Sequence, residues 1–330
     1  MISSLFFSSF TKLVLVFLGT LILTWWLINS KTFKLLDYPN SRSLHTTVVT
    51  RTGGLGMLLG ILLAWVLLSA ELPISVWVGI SILAVVSFAD DVLSLSIWWR
   101  ILSHILVAAW FAVVLIADTQ GWLVAVMLTV SIVWMINLYN FMDGSDGLAG
   151  GMALIGFFNY GLAAWLGGNE TFAMLNFCIV AAAAAFLVFN FYPARIFMGD
   201  VGSVSLGYIA AVFGILGWIN GLWLLWLPLL VFSPFVADAS MTLVKRCLRR
   251  EKIWQAHCEH YYQRLVQSGF GHQNTALFSY FLMLASGASA VWVIRQDIII
   301  QLGVVIAWYS FYLAMMLAFD LHWRRYNRKS

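Results

Sequence analysis

The sequence predicts an all-α, polytopic membrane protein of about eleven transmembrane helices, with its N-terminus periplasmic and its C-terminus cytoplasmic. Three observations carry this reading. Of the 330 residues, 62% are hydrophobic and only 10% are charged, too little polar surface to cover a water-soluble globule. Apolar runs of about 20 residues, the length of a bilayer span, recur along the whole chain. The basic residues fall almost entirely on alternate connections, the asymmetry that orients helices in a membrane. Seventeen tryptophans and eleven tyrosines suit rings placed at headgroup level around many spans.

In chain order the predicted spans are 10–28, 54–70, 73–89, 101–117, 122–140, 148–166, 172–191, 204–220, 222–242, 275–294 and 298–319. The first has no small-residue cleavage site after it, only Asn29, Ser30 and Lys31, and reads as a retained span. Tight reversals at Glu71, 118–121, 167–171, Asn220-Gly221 and 295–297 define one side. The longer connections define the other. These carry Lys31, Lys34, Arg42 and Arg51, then the cluster from Lys245 to Lys252, then Arg324, Arg325, Arg328 and Lys329, so this side is cytoplasmic. No connection is long enough to fold alone, and residues 1–330 read as a single integral membrane domain with a basic, partly helical cytoplasmic extension at about 245–274.

Net charge of +4 without a continuous basic stripe excludes nucleic acid and favours membrane lipid as a partner. Cys178, Cys247 and Cys258 form neither a disulfide framework nor a metal knuckle.

Acidic residues are costly in a membrane protein unless they are paired, hydrated or bound to a cation, so their placement is the most informative pattern in the chain. Asp90-Asp91 ends the third span, Asp143 and Asp146 follow the fifth, and Asp200 follows the seventh. Groups roughly 50 to 60 residues apart are separated by an out-and-back pair of spans, so all return to one face. Five converging carboxylates repel one another, and a divalent cation, Mg²⁺ or Mn²⁺, is the natural resolution for hard oxygen ligands. Glycines beside Asp143, Asp146 and Asp200 let backbone amides approach a phosphate. One Asp-Gly alone would be a turn or a cap; three groups on one face argue for a site.

The chain resembles the polyprenyl-phosphate N-acetylhexosamine-1-phosphate transferases. The motifs are Asp37-Tyr38-Pro39-Asn40-Ser41-Arg42-Ser43-Leu44-His45, the Asp90-Asp91 pair, 137–147, Asn190 with Phe197-Met198-Gly199-Asp200, and His257-Cys258-Glu259-His260, in family order over most of the chain. The resemblance implies transfer of a sugar 1-phosphate from a UDP-N-acetylhexosamine to undecaprenyl phosphate, releasing UMP. It makes Asp200 a metal ligand with Asn140 as its companion, and turns Asp90 and Asp91 towards the lipid phosphate, one of them positioning or deprotonating it. Asp143, Gly144 and Asp146 would contact the nucleotide sugar, and Asn190 and Phe197 the uridine. A covalent aspartyl intermediate stays open.

His257 and His260 share a face if their segment is helical, and could then donate to diphosphate or sugar oxygens; zinc lacks a complete tetrahedral set there. His104 reads as a satisfied buried polar residue. Asp238 either lines the site or caps a helix break, and Arg42 and Arg51 either hold phosphates or merely obey topology. The first loop departs from the family at Val48, Thr50 and Thr52, where prolines and an extra glycine are usual. The His-Cys-Glu-His motif is less basic than in peptidoglycan enzymes and points to the O-antigen-initiating branch. A cation-coupled transporter is the rival class, although transporters place carboxylates near the bilayer midplane rather than at span ends. The particular N-acetylated sugar and the oligomeric state stay open, a homodimer being one option.

Overall fold

The computed structural model describes residues 2–30, 35–39, 43–252 and 257–326. Lys31, Lys34, Arg42, Arg328 and Lys329 therefore lie outside the described residues. Among the described residues the chain is a bundle of helices with one two-stranded sheet of two residues per strand. In order the helices are α1 (Ile2–Asn29), α2 (Gly53–Leu67), α3 (Ile74–Leu93), α4 (Ile97–Ala112), α5 (Asp118–Gln120), α6 (Trp122–Phe141) and α7 (Leu148–Leu166). There follow α8 (Glu170–Asn190), α9 (Gly199–Ile219), α10 (Trp226–Val231), α11 (Ser233–Leu248), α12 (Tyr261–Leu265), α13 (Gly271–Val293) and α14 (Ile298–Tyr326). A π-helical turn at Val113–Ala117 joins α4 to α5.

Among the described residues nine helical segments are long and apolar enough to cross a membrane. They coincide with nine of the predicted spans, and the chain is an all-α polytopic membrane protein. The other two predicted spans differ. The span at 54–70 is α2, only 15 residues long, about 22 Å at 1.5 Å per residue. The span at 222–242 is interrupted at Phe232 between α10 and α11. Pro234, at the start of α11, lacks the N–H that a continuous helix would need there. The predicted extension at 245–274 is shortened from both sides, because 245–248 complete α11 and 271–274 begin α13.

Helix α9 is the most enclosed element and packs on α2, α3 and α6, while α1 and α14 are the least enclosed. Small residues allow this. A Cβ on Gly54 of α2 would run into the backbone of Gly202 on α9, and one on Gly207 would meet Ile136 and Met135 of α6. Two large polar side chains in the apolar interior are paired with backbone. Tyr208 Oη donates to Ser75 O at 3.0 Å and Trp65 Nε1 to Leu175 O at 3.1 Å.

The first connection is clipped to the one before α9. Strand β1 (Leu36–Asp37) pairs antiparallel with β2 (Val49–Thr50), and Thr50 also bridges Ile196 in parallel. Phe197 N donates to Thr50 O at 2.8 Å, and Gly53 N to Phe197 O at 2.9 Å. These bonds hold the start of α9 against the loop leading into α2. The ends of α3, α6 and α8 and the starts of α4, α7 and α9 meet at this end of the bundle.

Candidate active site

The first turn of α9 carries Asp200, where the positive end of the helix dipole favours a carboxylate. Asn140, in the last turn of α6, donates through Nδ2 to Asp200 Oδ1 at 3.0 Å and to Ser203 Oγ at 2.9 Å. Asp90 and Asp91 occupy the last turn of α3, the negative end of its dipole, so they need cations nearby. Two arginines supply them. Arg100, in the first turn of α4, reaches Asp90 Oδ2 and Asp200 Oδ2, each at 3.1 Å. Arg51 approaches Asp91 Oδ1 at 3.5 Å and donates to the Asp91 carbonyl at 2.9 Å. The second carboxylate oxygen of Asp91 is buried without a hydrogen-bond partner and lies against Gly199.

Between α6 and α7 the chain turns through Asp143 to Gly147, whose φ of 75° suits glycine. Burial pushes the Asp143 carboxyl well above the usual range, and the charges of Asp200, Asp91 and Asp37 push it the same way against a hydrogen bond from the Gly199 backbone. Asp146 Oδ2 accepts from Ala194 N at 2.9 Å. Asn190 accepts from Gly147 N at 3.1 Å and donates to Ile196 O at 2.9 Å, so its amide is spent in joining the two loops. His272 ties a third loop to them. Its Nε2 donates to Leu44 O at 3.2 Å, which leaves Nδ1 to accept from Ser145 Oγ at 3.0 Å.

These loops enclose a cavity of about 210 Å³. Asp143, Gly144, Asp146, Asn190, Phe197 and Asp200 line it, as do Asp37, His45, Arg51, Gln263 and His272. The His45 and Phe197 rings meet edge to face at 4.9 Å. Asn140, Asp90 and Asp91 stand beside the cavity, joined to its wall through Asp200, Arg100 and Arg51.

The two motif histidines depart from expectation, because residues 257–260 are not helical and neither ring lines the cavity. His260 is buried, 3.3 Å from Asp238 Oδ1. Asp238 also accepts the Tyr261 and Tyr262 amides, both at 2.9 Å, so it caps α12 rather than lining the site. The His257 ring lies tilted against that of His260, 4.9 Å between ring centroids. Burial, with His260 and Arg246 nearby, lowers its pKa to about 4. His104 is buried as expected, 3.3 Å from Asn137 Nδ2.

Sequence reasoning passed over Arg100, Gln263 and His272. Arg100 follows two tryptophans at the head of a span and was covered by the topology rule alone. One signal was available: it is the one basic residue between the acidic pair and the next reversal.

Among the described residues no group of three or more His, Cys, Asp or Glu side chains forms a metal cage. An open site fits better. Mg²⁺ keeps several waters and takes one or two carboxylates plus substrate phosphate. Asp200, the Asn140 carbonyl oxygen once its amide turns over, and the unpartnered Asp91 oxygen are hard donors of that kind.

Residues 73–218 match the profile of glycosyl transferase family 4. The chain is 28% identical over 273 residues to a probable undecaprenyl-phosphate N-acetylglucosaminyl 1-phosphate transferase of Bacillus subtilis, covering 78% of this chain and 76% of the relative. It is 29% identical over 313 residues to a decaprenyl-phosphate N-acetylglucosaminephosphotransferase of Mycobacterium tuberculosis, covering 77% and 74%. It is 34% identical over 175 residues to a phospho-N-acetylmuramoyl-pentapeptide-transferase of Levilactobacillus brevis, covering 53% of each. With the motif order of the sequence and the acidic cluster at one end of the bundle, these matches agree with the resemblance to the polyprenyl-phosphate N-acetylhexosamine-1-phosphate transferase superfamily.

Proposed function

We propose that the protein transfers N-acetylhexosamine 1-phosphate from a UDP-sugar to undecaprenyl phosphate at the cytoplasmic face of a bacterial inner membrane. This would begin O-antigen or a related cell-surface glycan. The observation that carries the reading is a polar cavity walled by Asp143, Asp146, Phe197 and Asp200, directly beside Asp90 and Asp91 at the ends of membrane-spanning helices. A soluble donor and a lipid acceptor can meet only at such a boundary. The basic loops on the same side support a cytoplasmic orientation.

In the proposed reaction an oxygen of the lipid phosphate bonds to the sugar-bearing phosphorus of the donor. The bond from that phosphorus to the UMP oxygen breaks, and UMP leaves with the electron pair. The Phe197 ring offers a face for the uracil. Arg51 balances Asp91 through one carboxylate oxygen and leaves the other bare to take the proton from a lipid phosphate that still carries one. The lipid phosphate, with a second pKa of about 6, is largely ionised already, so little general-base work is needed. Asp200 with Asn140 would hold Mg²⁺ or Mn²⁺, which when bound neutralises the diphosphate. Asn190, Asp146 and His272 keep the cavity loops in register.

The reading is tested by incubating purified protein with undecaprenyl phosphate, Mg²⁺ and a panel of UDP-N-acetylhexosamines. One sugar should give a lipid-linked diphosphate product and stoichiometric UMP. If no sugar yields UMP, while sealed vesicles show ion-coupled solute uptake without any polyprenyl phosphate, the transporter class replaces it.

A further inference from the structure

Among the described residues Arg100 is the one side chain that joins the two acidic groups at the heart of the site. We propose that it is a built-in competitor of the divalent cation, holding the cation's carboxylates until the cation displaces it. The inference rests on the metal-assisted reading above and adds to it a role for a residue that the motifs leave unassigned.

The geometry gives the competition its terms. One guanidinium spans Asp90 Oδ2 on α3 and Asp200 Oδ2 on α9 at 3.1 Å each, while Asp200 Oδ1 is taken by Asn140. Both oxygens of Asp200 therefore have partners, and a cation that binds between Asp90 and Asp200 meets the positive charge of the guanidinium already held there. Turning over the Asn140 amide frees Asp200 Oδ1 but removes no positive charge, and Arg51 is anchored on both the side chain and the backbone of Asp91. Arg100 is the partner free to leave. Its side chain is 30% exposed, so a rotamer change carries the charge into water without disturbing α4.

Charge sets the direction of the exchange. Replacing one positive charge by two among several carboxylates is favourable, because these groups outnumber their cations. Once released, the guanidinium remains beside the cavity, where its planar fork matches phosphate oxygens. Arrival of the metal would thus turn a counter-ion of the protein into one for the donor diphosphate.

A plain structural bridge between α3 and α9 makes the opposite expectation for metal affinity, because losing it would let the carboxylates drift apart. The test is Mn²⁺ binding to purified protein without substrates, followed by the loss of the free-ion signal in electron paramagnetic resonance. Arg100→Gln should bind Mn²⁺ about tenfold more tightly than the unmodified protein, a difference of about 1.4 kcal/mol, while UMP release falls. Arg100→Lys, which keeps the charge but not the fork, should bind with intermediate affinity and serves if the glutamine variant does not fold. Unchanged or weaker binding in these variants, or no binding by any of the proteins, would overturn the proposal. Asp200→Asn separates the two levels. Loss of Mn²⁺ there marks Asp200 as a ligand, and its survival would sink that assignment, whereas the Arg100 variants decide the competition on their own.

Discussion

Two charged clusters sit at the ends of these helices, and they differ in balance. Around α11, α12 and the end of α14, each carboxylate is met by basic side chains. Arg246 meets Glu251 at 2.9 Å and Glu259 at 2.6 Å, Arg249 meets Glu251 at 2.7 Å, and Asp320 is shared by Lys245 and Arg264. At the candidate active site, Asp37, Asp90, Asp91, Asp143 and Asp200 gather around Arg51 and Arg100. One Asp91 oxygen has no partner, and Asp143 is held well above its usual pKa. A matched network closes on itself and fastens α14 to the segment between α11 and α13. An unmatched one is built to receive positive charge from outside the protein.

The sharpest way to break this contrast is at the unpartnered oxygen. Asp91→Asn should cut UMP release by about 10²- to 10³-fold, the scale of losing one well-placed polar group in a reacting site, with insertion unaffected. Turnover within a few-fold of the unmodified protein would remove Asp91 from the chemistry.

Next in size is the joint between the cavity loops. Asn190→Ala loses two bonds to backbone, Gly147 N and Ile196 O, and should cost about 2 kcal/mol of stability. A rise in the donor KM with little change in metal dependence would mark Asn190 as a positioning residue; the reverse pattern would make it a ligand.

In the matched cluster the effects should be smaller. Glu259→Gln loosens its ties to Arg246 and Arg249 and should lower stability by about 1 kcal/mol, with kcat within about twofold. A collapse of kcat would place this network in the mechanism.

The smallest effect concerns pH. His257 has its pKa lowered to about 4 in the folded protein, so below about pH 6.5 the unfolded chain binds the proton first. The stability contributed by neutral His257 is present above that pH and is lost as pH falls through the window to about 4. In His257→Gln the acid-side loss should shrink by about 1 kcal/mol or less, since the ring is only partly buried. Identical acid unfolding curves for the two proteins would show that His257 titrates normally.

Much of the fold was legible because lipid imposes simple costs. Nine of the spans stand out by length and apolarity, and Asp90, Asp91, Asp143, Asp146 and Asp200 stand out because acids are expensive there. The break at Phe232 was concealed by the apolar run on both sides of Pro234. The condition on the histidine motif, a helical segment, is not met at 257–260, where Asp238 caps α12 from another helix. His272 was invisible for a similar reason, its partner Ser145 lying 127 residues earlier in the chain. Arg100 was legible as a charge but not as a bridge, since nothing in one sequence says that the start of α4 meets the start of α9.

The central claim is that the unmatched cluster receives a divalent cation on Asp200 during phosphoryl transfer. Its most direct measurement is Mg²⁺-dependent UMP release by Asp200→Asn, compared with the unmodified protein at equal membrane levels. Expected is a loss of at least about 10³-fold that added Mg²⁺ does not restore. Full turnover with ordinary Mg²⁺ dependence would contradict it.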